Sequence, residues 1–243
     1  MQAMRELSDF EIHVAFPRDL TGLRKRLDPE KEHWNRVNVS EVVTGPASQG
    51  SCNGHDVPGV LTWMSTKRVN DFEVAVSEVG RLARLYHDSD NIRIELEQVL
   101  MTDDGSHPVV LPATRRTPLA SDFGAGKLVA NTPPFETHFS IVTGRTNDPV
   151  RAKTWELIEL AESIGLPVHQ AVRFAGTGKV IVTTFFEDFR EMVAETKRLT
   201  PDYRRALAAR ELTLKVVSER IISCVQPQLQ QTARPVTAAG SRK

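Results

Sequence analysis

The amino-acid sequence predicts an α+β protein in which one unit of helices and antiparallel strands is written twice. Three observations carry that expectation: echoes at nearly constant offsets, strands alternating apolar and polar residues, and helices with one apolar face. Phe10-Glu11-Ile12-His13-Val14-Ala15-Phe16 is echoed by Phe135-Glu136-Thr137-His138-Phe139-Ser140-Ile141. Asp28-Pro29 followed by Trp34 returns as Asp148-Pro149 followed by Trp155, and Asp71-Phe72 returns as Asp188-Phe189. Arg93-Ile94-Glu95-Leu96-Glu97 corresponds to Lys215-Val216-Val217-Ser218-Glu219. Counted from the first residue of each pair, the offsets are 125, 120, 117 and 122 residues, always in the same order. Strands interleaved with helices on such a frame predict internally duplicated β-α-β-β-α-β-like lobes, of the ferredoxin-like kind, with antiparallel sheets.

Taken in order, Phe10, Ile12, Val14 and Phe16 alternate with Glu11, His13 and Ala15, the period of a half-buried strand. The stretch from Leu20 to Val37 reads as a poor helix, since Gly22, Pro29 and many charges interrupt it. Ser40 to Gly59 is rich in Gly, Ser and Pro and reads as a long exposed loop. Phe72, Ala75, Val76, Val79, Leu82, Ala83 and Tyr86 fall on one helical face, and an extended segment from Asn91 to Met101 follows.

In the second unit Phe135 to Val142 reads as the first strand. Asp148-Pro149 is a helix-start signal for a face of Val150, Leu157, Ile158, Ala161 and Ile164, closed by Gly165 and Pro167. Phe189, Met192, Val193, Thr196 and Leu199 repeat the second helical face, and Leu212 to Val225 is extended. These readings divide the chain into a first lobe, 1–101, and a second, 135–225. Between them 102–134 holds five prolines and reads as a linker, and 226–243, poor in large apolar residues, reads as a disordered tail.

Composition narrows the function classes. The 243 residues carry 31 Lys+Arg and 31 Asp+Glu, and zero net charge argues against a dedicated nucleic-acid or anionic-membrane binder. No apolar run approaches the roughly 18 residues of a membrane span, and Met1 to Glu11 has no apolar signal core. Cys52 and Cys224 are far apart with no ligand-like spacing. A cytoplasmic protein is the expectation.

The sharpest chemical feature is the Glu-x-His on the first strand of each unit. Residues two apart on a strand share a face, so Glu11 projects with His13, and Glu136 with His138 and Ser140. A carboxylate beside an imidazole fixes its tautomer and raises its pKa, which suits proton transfer. Further candidates precede the clear helices: Lys67 and Arg68 in the first unit, Lys179 and Thr183 in the second, as groups that could hold an anion.

His138-Phe139-Ser140-Ile141 resembles the His-x-Ser/Thr-x motif of the 2H phosphoesterases, two-lobed proteins with one such motif per lobe. The resemblance implies that His138 and His13 are the two proton-transfer groups and that Ser140 contacts phosphate. It departs at Ala15, where a hydroxyl belongs, and in the long separation of the motifs. On this reading the chain is a phosphoesterase acting on a nucleotide or RNA-end phosphodiester by His/His acid–base catalysis. Glu11 and Glu136 then orient the histidines, Ser140, Lys67, Arg68, Lys179 and Thr183 bind substrate, and neither cofactor nor metal takes part. The partner is a small phosphorylated ligand, with no membrane or strong nucleic-acid signature and no statement on oligomers.

Two other readings use the same residues. Two Glu-x-His pairs offer two imidazoles and two carboxylates, a set suited to Zn²⁺, Mn²⁺ or Fe²⁺ in a metal-dependent hydrolase. Alternatively the sheets form a non-enzymatic ligand-binding or assembly surface. Arg93, Glu95 and Glu97, partly repeated by Lys215, Val217 and Glu219, read as a solvent-exposed or ion-paired strand face. Gly176-Thr177-Gly178, between two apolar extended runs, reads as a hairpin turn, not a phosphate loop.

Overall fold

The structure is a computed structural model that describes residues 10–16, 34–44, 59–66, 69–86, 92–101, 118–123, 126–129, 133–142, 153–174 and 178–227. In chain order its elements are β1 (Phe10–Phe16), β2 (Trp34–Thr44), β3 (Gly59–Thr66), α1 (Phe72–Leu85) and β4 (Arg93–Met101). A 3-10 turn (Ala120–Phe123) and β5 (Gly126–Val129) come next. The remainder is β6 (Phe135–Val142), α2 (Thr154–Ser163), β7 (Gln170–Phe174), β8 (Lys179–Phe186), α3 (Phe189–Ala208) and β9 (Thr213–Pro227). The fold is α+β.

Every strand pairing among the described residues is antiparallel. The strands follow the order β4-β1-β3-β2-β7-β8-β6-β9-β5, and β4 also pairs with β9, so the ladder curls until it meets itself. The 15-residue β9 makes this possible, since Thr213–Arg220 pairs with β6 while Ser218–Val225 pairs with β4. The order in one half is β4-β1-β3-β2 and in the other β9-β6-β8-β7.

The helices form where caps and apolar periodicity agree. The Asp71 carboxylate accepts the Val74 N–H at 2.9 Å, and α1 buries Ala75, Val76, Val79, Leu82 and Ala83. Asp188 accepts the N–H groups of Arg190 and Glu191 at 2.8 and 3.1 Å to start α3. Helix α2 ends where Gly165 takes φ +81°, a left-handed turn that costs glycine little, and Leu166 N–H reaches back to the Ala161 carbonyl.

The three helices among the described residues cover one face of the curled sheet. Helix α1 closes over Phe10, Ile12, Val14, Ile94 and Leu96; α2 and α3 close over Phe139, Ile141, Val180, Val182, Leu214 and Val216. Tyr203 of α3 stands edge-on to Phe139 at 5.8 Å and donates to the Leu157 carbonyl of α2 at 3.1 Å. Because strand side chains alternate, the residues between these apolar positions point to the opposite, concave side.

Several expectations need correction. Trp34–Val37, expected at the end of a helix, lies in β2, whose pairing with β3 outweighs the local helical pattern. Ser40–Thr44 and Gly59, expected in a loop, belong to β2 and β3. The 102–134 stretch, expected to be only a linker, contributes the 3-10 turn and β5, which pairs with β9. The helix expected to start at Asp148-Pro149 is described from Thr154, and 143–152 lie outside the described residues. The β7–β8 hairpin agrees with its turn signal, with Phe174 paired to Lys179.

Candidate metal centre

Two rungs of the ladder build the site. Glu11 on β1 is paired directly with Glu97 on β4, and Glu136 on β6 with Glu219 on β9. Opposed residues on antiparallel strands hold their Cβ atoms about 4.5–5.5 Å apart. The histidine two residues along each first strand shares that face and turns its ring between the carboxylates. His13 Nε2 lies 3.4 Å from Glu11 and 3.1 Å from Glu97. His138 Nε2 lies 3.4 Å from Glu136 and 3.1 Å from Glu219.

Glu97 connects the two groups. One ligand atom from each of Glu97, Glu136, His138 and Glu219 lies within 4.8 Å of the others. The β4–β9 pairing that brings them together shifts register between Leu96 and Glu97 and again between Val99 and Met101. Such bulges re-aim side chains and recur beside functional sites. The Glu97, Glu136 and Glu219 side chains are only 2–3% exposed, whereas the His13 and His138 rings are 21% and 24% exposed. The two imidazoles and Glu11 are the more exposed members of the set.

The His138 ring is fixed from behind. Its Nδ1 is hydrogen-bonded to Thr183 Oγ1 at 2.9 Å, which leaves Nε2 facing the carboxylates. Beneath, on the helix-facing side, Thr137 Oγ1 lies 2.9 Å from Ser218 Oγ and 3.0 Å from Thr196 Oγ1, tying β6, β9 and α3 together. Glu97 Oε2, though 3.1 Å from His13 Nε2, makes no hydrogen bond to a described residue.

The crowding of charge shows in the protonation equilibria. Burial raises the Glu97 carboxyl, the negative charges of Glu136 and Glu219 add to it, and His13 opposes; the result is a pKa of about 8. Burial alone disfavours a charged His13, but Glu97 and Glu11 outweigh it and hold the imidazole well above its usual value. Glu136 and Glu219 do the same for His138 against the same opposing burial.

Of the sequence candidates, His13, Glu11, His138 and Glu136 meet in this site. Thr183 is there too, on the His138 ring. Ser140 is the next residue along the same face, buried and paired with Ile181 and Lys215. Lys179 is four residues from Thr183 on β8, about 13 Å at strand rise, and its Nζ sits over the Phe174 ring at 5.5 Å. Lys67 and Arg68 lie outside the described residues.

Glu97 and Glu219 were not among the sequence candidates. Of the two alternatives, a solvent-exposed or an ion-paired face, exposure is corrected for Glu95, Glu97 and Glu219, which are 2–3% exposed, and pairing holds for Glu97 with His13 and Glu219 with His138. Lys215 of the same face is exposed. The usable signal was the offset of 122 residues that maps Glu97 onto Glu219. Cys224 is paired with Glu95 on the ladder, and burial, reinforced by Glu95, pushes its thiol well above the ordinary range.

No known protein family matches the chain, and no curated protein matches it. Among solved structures, a presumptive monooxygenase from Fusobacterium nucleatum subsp. nucleatum is similar at 8% identity and a TM-score of 0.29. That alignment covers 91% of this chain and 95% of the other. At such a TM-score the likeness informs neither fold nor function. No helix among the described residues is long and apolar enough to cross a membrane.

Proposed function

We propose that this chain is a metal-dependent hydrolase whose divalent cation is held by Glu97, Glu136, His138 and Glu219. The observation that supports it is the convergence of four donor atoms within 4.8 Å, three of them on buried carboxylates. One imidazole nitrogen with carboxylate oxygens and no thiolate suits Mn²⁺, Fe²⁺ or Zn²⁺. Buried carboxylates this close repel one another, and a cation converts that repulsion into binding energy. When bound, such an ion lowers the pKa of a coordinated water and polarises the bond under attack.

The chain's own residues supply the rest. Thr183 holds the His138 ring so that Nε2 is presented to the ion. The bulged β4–β9 register delivers Glu97 and Glu219 from different strands. A phosphodiester remains the first substrate class to try, with Ser140 beside the centre as a hydroxyl donor.

Metal-free His/His acid–base catalysis is the competing reading of the same site. It needs one imidazole neutral and the other charged near neutral pH. Both imidazoles are held well above their usual pKa, and the four carboxylates beside them repel a phosphodiester anion. Both features favour the cation. The matching strand orders and the paired Glu11–Glu97 and Glu136–Glu219 rungs support the further reading that the two halves are copies of one ferredoxin-like unit.

The test is a panel of 2′,3′-cyclic nucleotides and simple phosphodiesters offered to chelator-stripped protein, with and without Mn²⁺, Fe²⁺ or Zn²⁺. Turnover that appears only with the metal, and is lost in Glu219→Gln, is expected. Turnover by the wild type in EDTA that vanishes in His13→Ala and His138→Ala would replace this reading with acid–base catalysis. Absence of metal binding by calorimetry would overturn it outright.

A further inference from the structure

We propose that the chain holds a second divalent cation at Glu11, His13 and Glu97, with the Glu97 carboxylate shared between the two ions. This extends the metal reading of the neighbouring cluster and depends on it.

The local geometry of that cluster is repeated across the site. His13 Nε2 stands 3.4 Å from Glu11 Oε2 and 3.1 Å from Glu97 Oε2, the same pair of distances that His138 Nε2 makes with Glu136 and Glu219. Each set arises in the same way, from a Glu-x-His on one strand with a glutamate directly opposite its first residue. One imidazole with a carboxylate within 3.4 Å on either side offers three protein ligands, the number at which catalytic cations keep positions open for water and substrate.

Glu97 belongs to both sets. A ligand atom of its carboxylate lies within 4.8 Å of the donors of Glu136, His138 and Glu219, and its Oε2 is 3.1 Å from His13. A carboxylate has two oxygens and can give one to each ion, and paired catalytic ions sit about 3.5–4 Å apart. The Glu97 side chain is 3% exposed and its Oε2 takes no hydrogen bond from a described residue. Its nearest partner is the His13 imidazole at 3.1 Å; once that imidazole serves as a ligand, only a cation can meet the buried oxygen without the cost of an unpaired charge.

Charge points the same way. Glu11, Glu97, Glu136 and Glu219 bring four negative charges to one side of the sheet. A single divalent ion at Glu97, Glu136, His138 and Glu219 leaves one negative charge there even with a charged His13 paired to Glu11, whereas two ions neutralise the four carboxylates. Uncompensated charge in a site this buried is expensive.

The experiment uses the full chain, stripped with EDTA, desalted and titrated with Mn²⁺ alone. Bound manganese is counted per chain by elemental analysis after gel filtration, and the coupling between ions is read by electron paramagnetic resonance. Two ions per wild-type chain with an exchange-coupled spectrum are expected. Glu11→Gln and His13→Asn are each expected to retain one ion with an uncoupled spectrum. Saturation of the wild type at one ion, lost in Glu219→Gln, would remove the second site and leave the metal reading standing. No bound manganese would remove both. Two ions retained in both the Glu11→Gln and His13→Asn variants would overturn the placement at Glu11 and His13. If those variants do not fold, the wild-type spectrum decides, because two uncoupled ions exclude a shared carboxylate.

Discussion

Glu136 and Glu219 stand directly opposite each other on β6 and β9, two buried carboxylates on one rung of an antiparallel ladder. Like charges in that position destabilise a sheet, and a pair of apolar residues there would bind the strands more tightly. The chain places the same opposition at Glu11 and Glu97, and sets an imidazole against each pair. Stability is given up at two rungs of one sheet face, while the opposite face is filled with ordinary core. A site that binds cations accounts for that asymmetry.

The first prediction concerns pH in the absence of metal. Glu97, His13 and His138 all have folded-state pKa values above their unfolded ones. The native state therefore binds more protons than the unfolded chain, and stability falls as pH rises. For Glu97 the loss begins near the unfolded carboxylate value and is complete above its folded pKa of about 8. For the histidines, stability is fully present below about 6.5 and is lost through their higher folded values. Metal-free protein should melt higher at pH 5 than at pH 8. A difference on the order of 3 kcal/mol corresponds to about 6–12 °C for a chain of this size. Glu97→Gln should flatten the slope in calorimetric scans; a wild-type melting temperature that rises over this range would contradict the charge balance described.

The fold was more legible than the site, for a physical reason. Strands β1, β4, β6 and β9 and the faces of α1 and α3 announce themselves by local periodicity, which depends on neighbours in sequence. The site depends on partners 80 to 90 residues apart, Glu11 with Glu97 and Glu136 with Glu219, and register is a property of the ladder. Glu-x-His was visible because both residues lie on one strand. Glu97 and Glu219 looked like a solvated or ion-paired charged face, because alternation places side chains on a common side without saying which side is concave. Strand β2 was hidden in a charged, interrupted stretch whose pairing with β3 and β7 overrides its propensity.

The second prediction reverses the first by adding metal. A ligand that binds only the native state stabilises it by about 2.7 kcal/mol at a hundredfold excess over its dissociation constant. Saturating Mn²⁺ or Zn²⁺ should therefore raise the melting temperature by about 5–11 °C. Binding requires deprotonated ligands, so affinity should increase between pH 6 and 8 and protons should be released. Calorimetric titrations in buffers of different ionisation enthalpy measure that release. A thermal shift that Glu219→Gln and His138→Asn leave intact would place the ion elsewhere.

A third prediction tests the support beneath the site. The buried hydroxyls of Thr137, Ser218 and Thr196 satisfy one another between β6, β9 and α3. Thr137→Val keeps the shape and strands two hydroxyl partners, at a cost of about 1–3 kcal/mol. Urea denaturation should show that loss with an unchanged slope. The double variant Thr137→Val, Ser218→Ala should recover part of it, since removing both partners is cheaper than leaving one unmet.

The last prediction isolates the orientation of His138. Thr183 touches the ring at Nδ1 and, in the proposed centre, acts on the ion only through it. Thr183→Val fills the same volume but removes the acceptor that fixes the Nδ1–H tautomer and the ring angle. Partners of this type are worth about 10–100-fold in metal affinity. The variant should bind Mn²⁺ that much more weakly, and Thr183→Ser should restore most of the affinity by returning the hydroxyl. Metal-free stability should change by only about 1 kcal/mol, because the ring stays between Glu136 and Glu219. The two readouts separate orientation from general damage. If Thr183→Val lowers metal-free stability and leaves Mn²⁺ affinity unchanged, the hydrogen bond serves the sheet and not the centre.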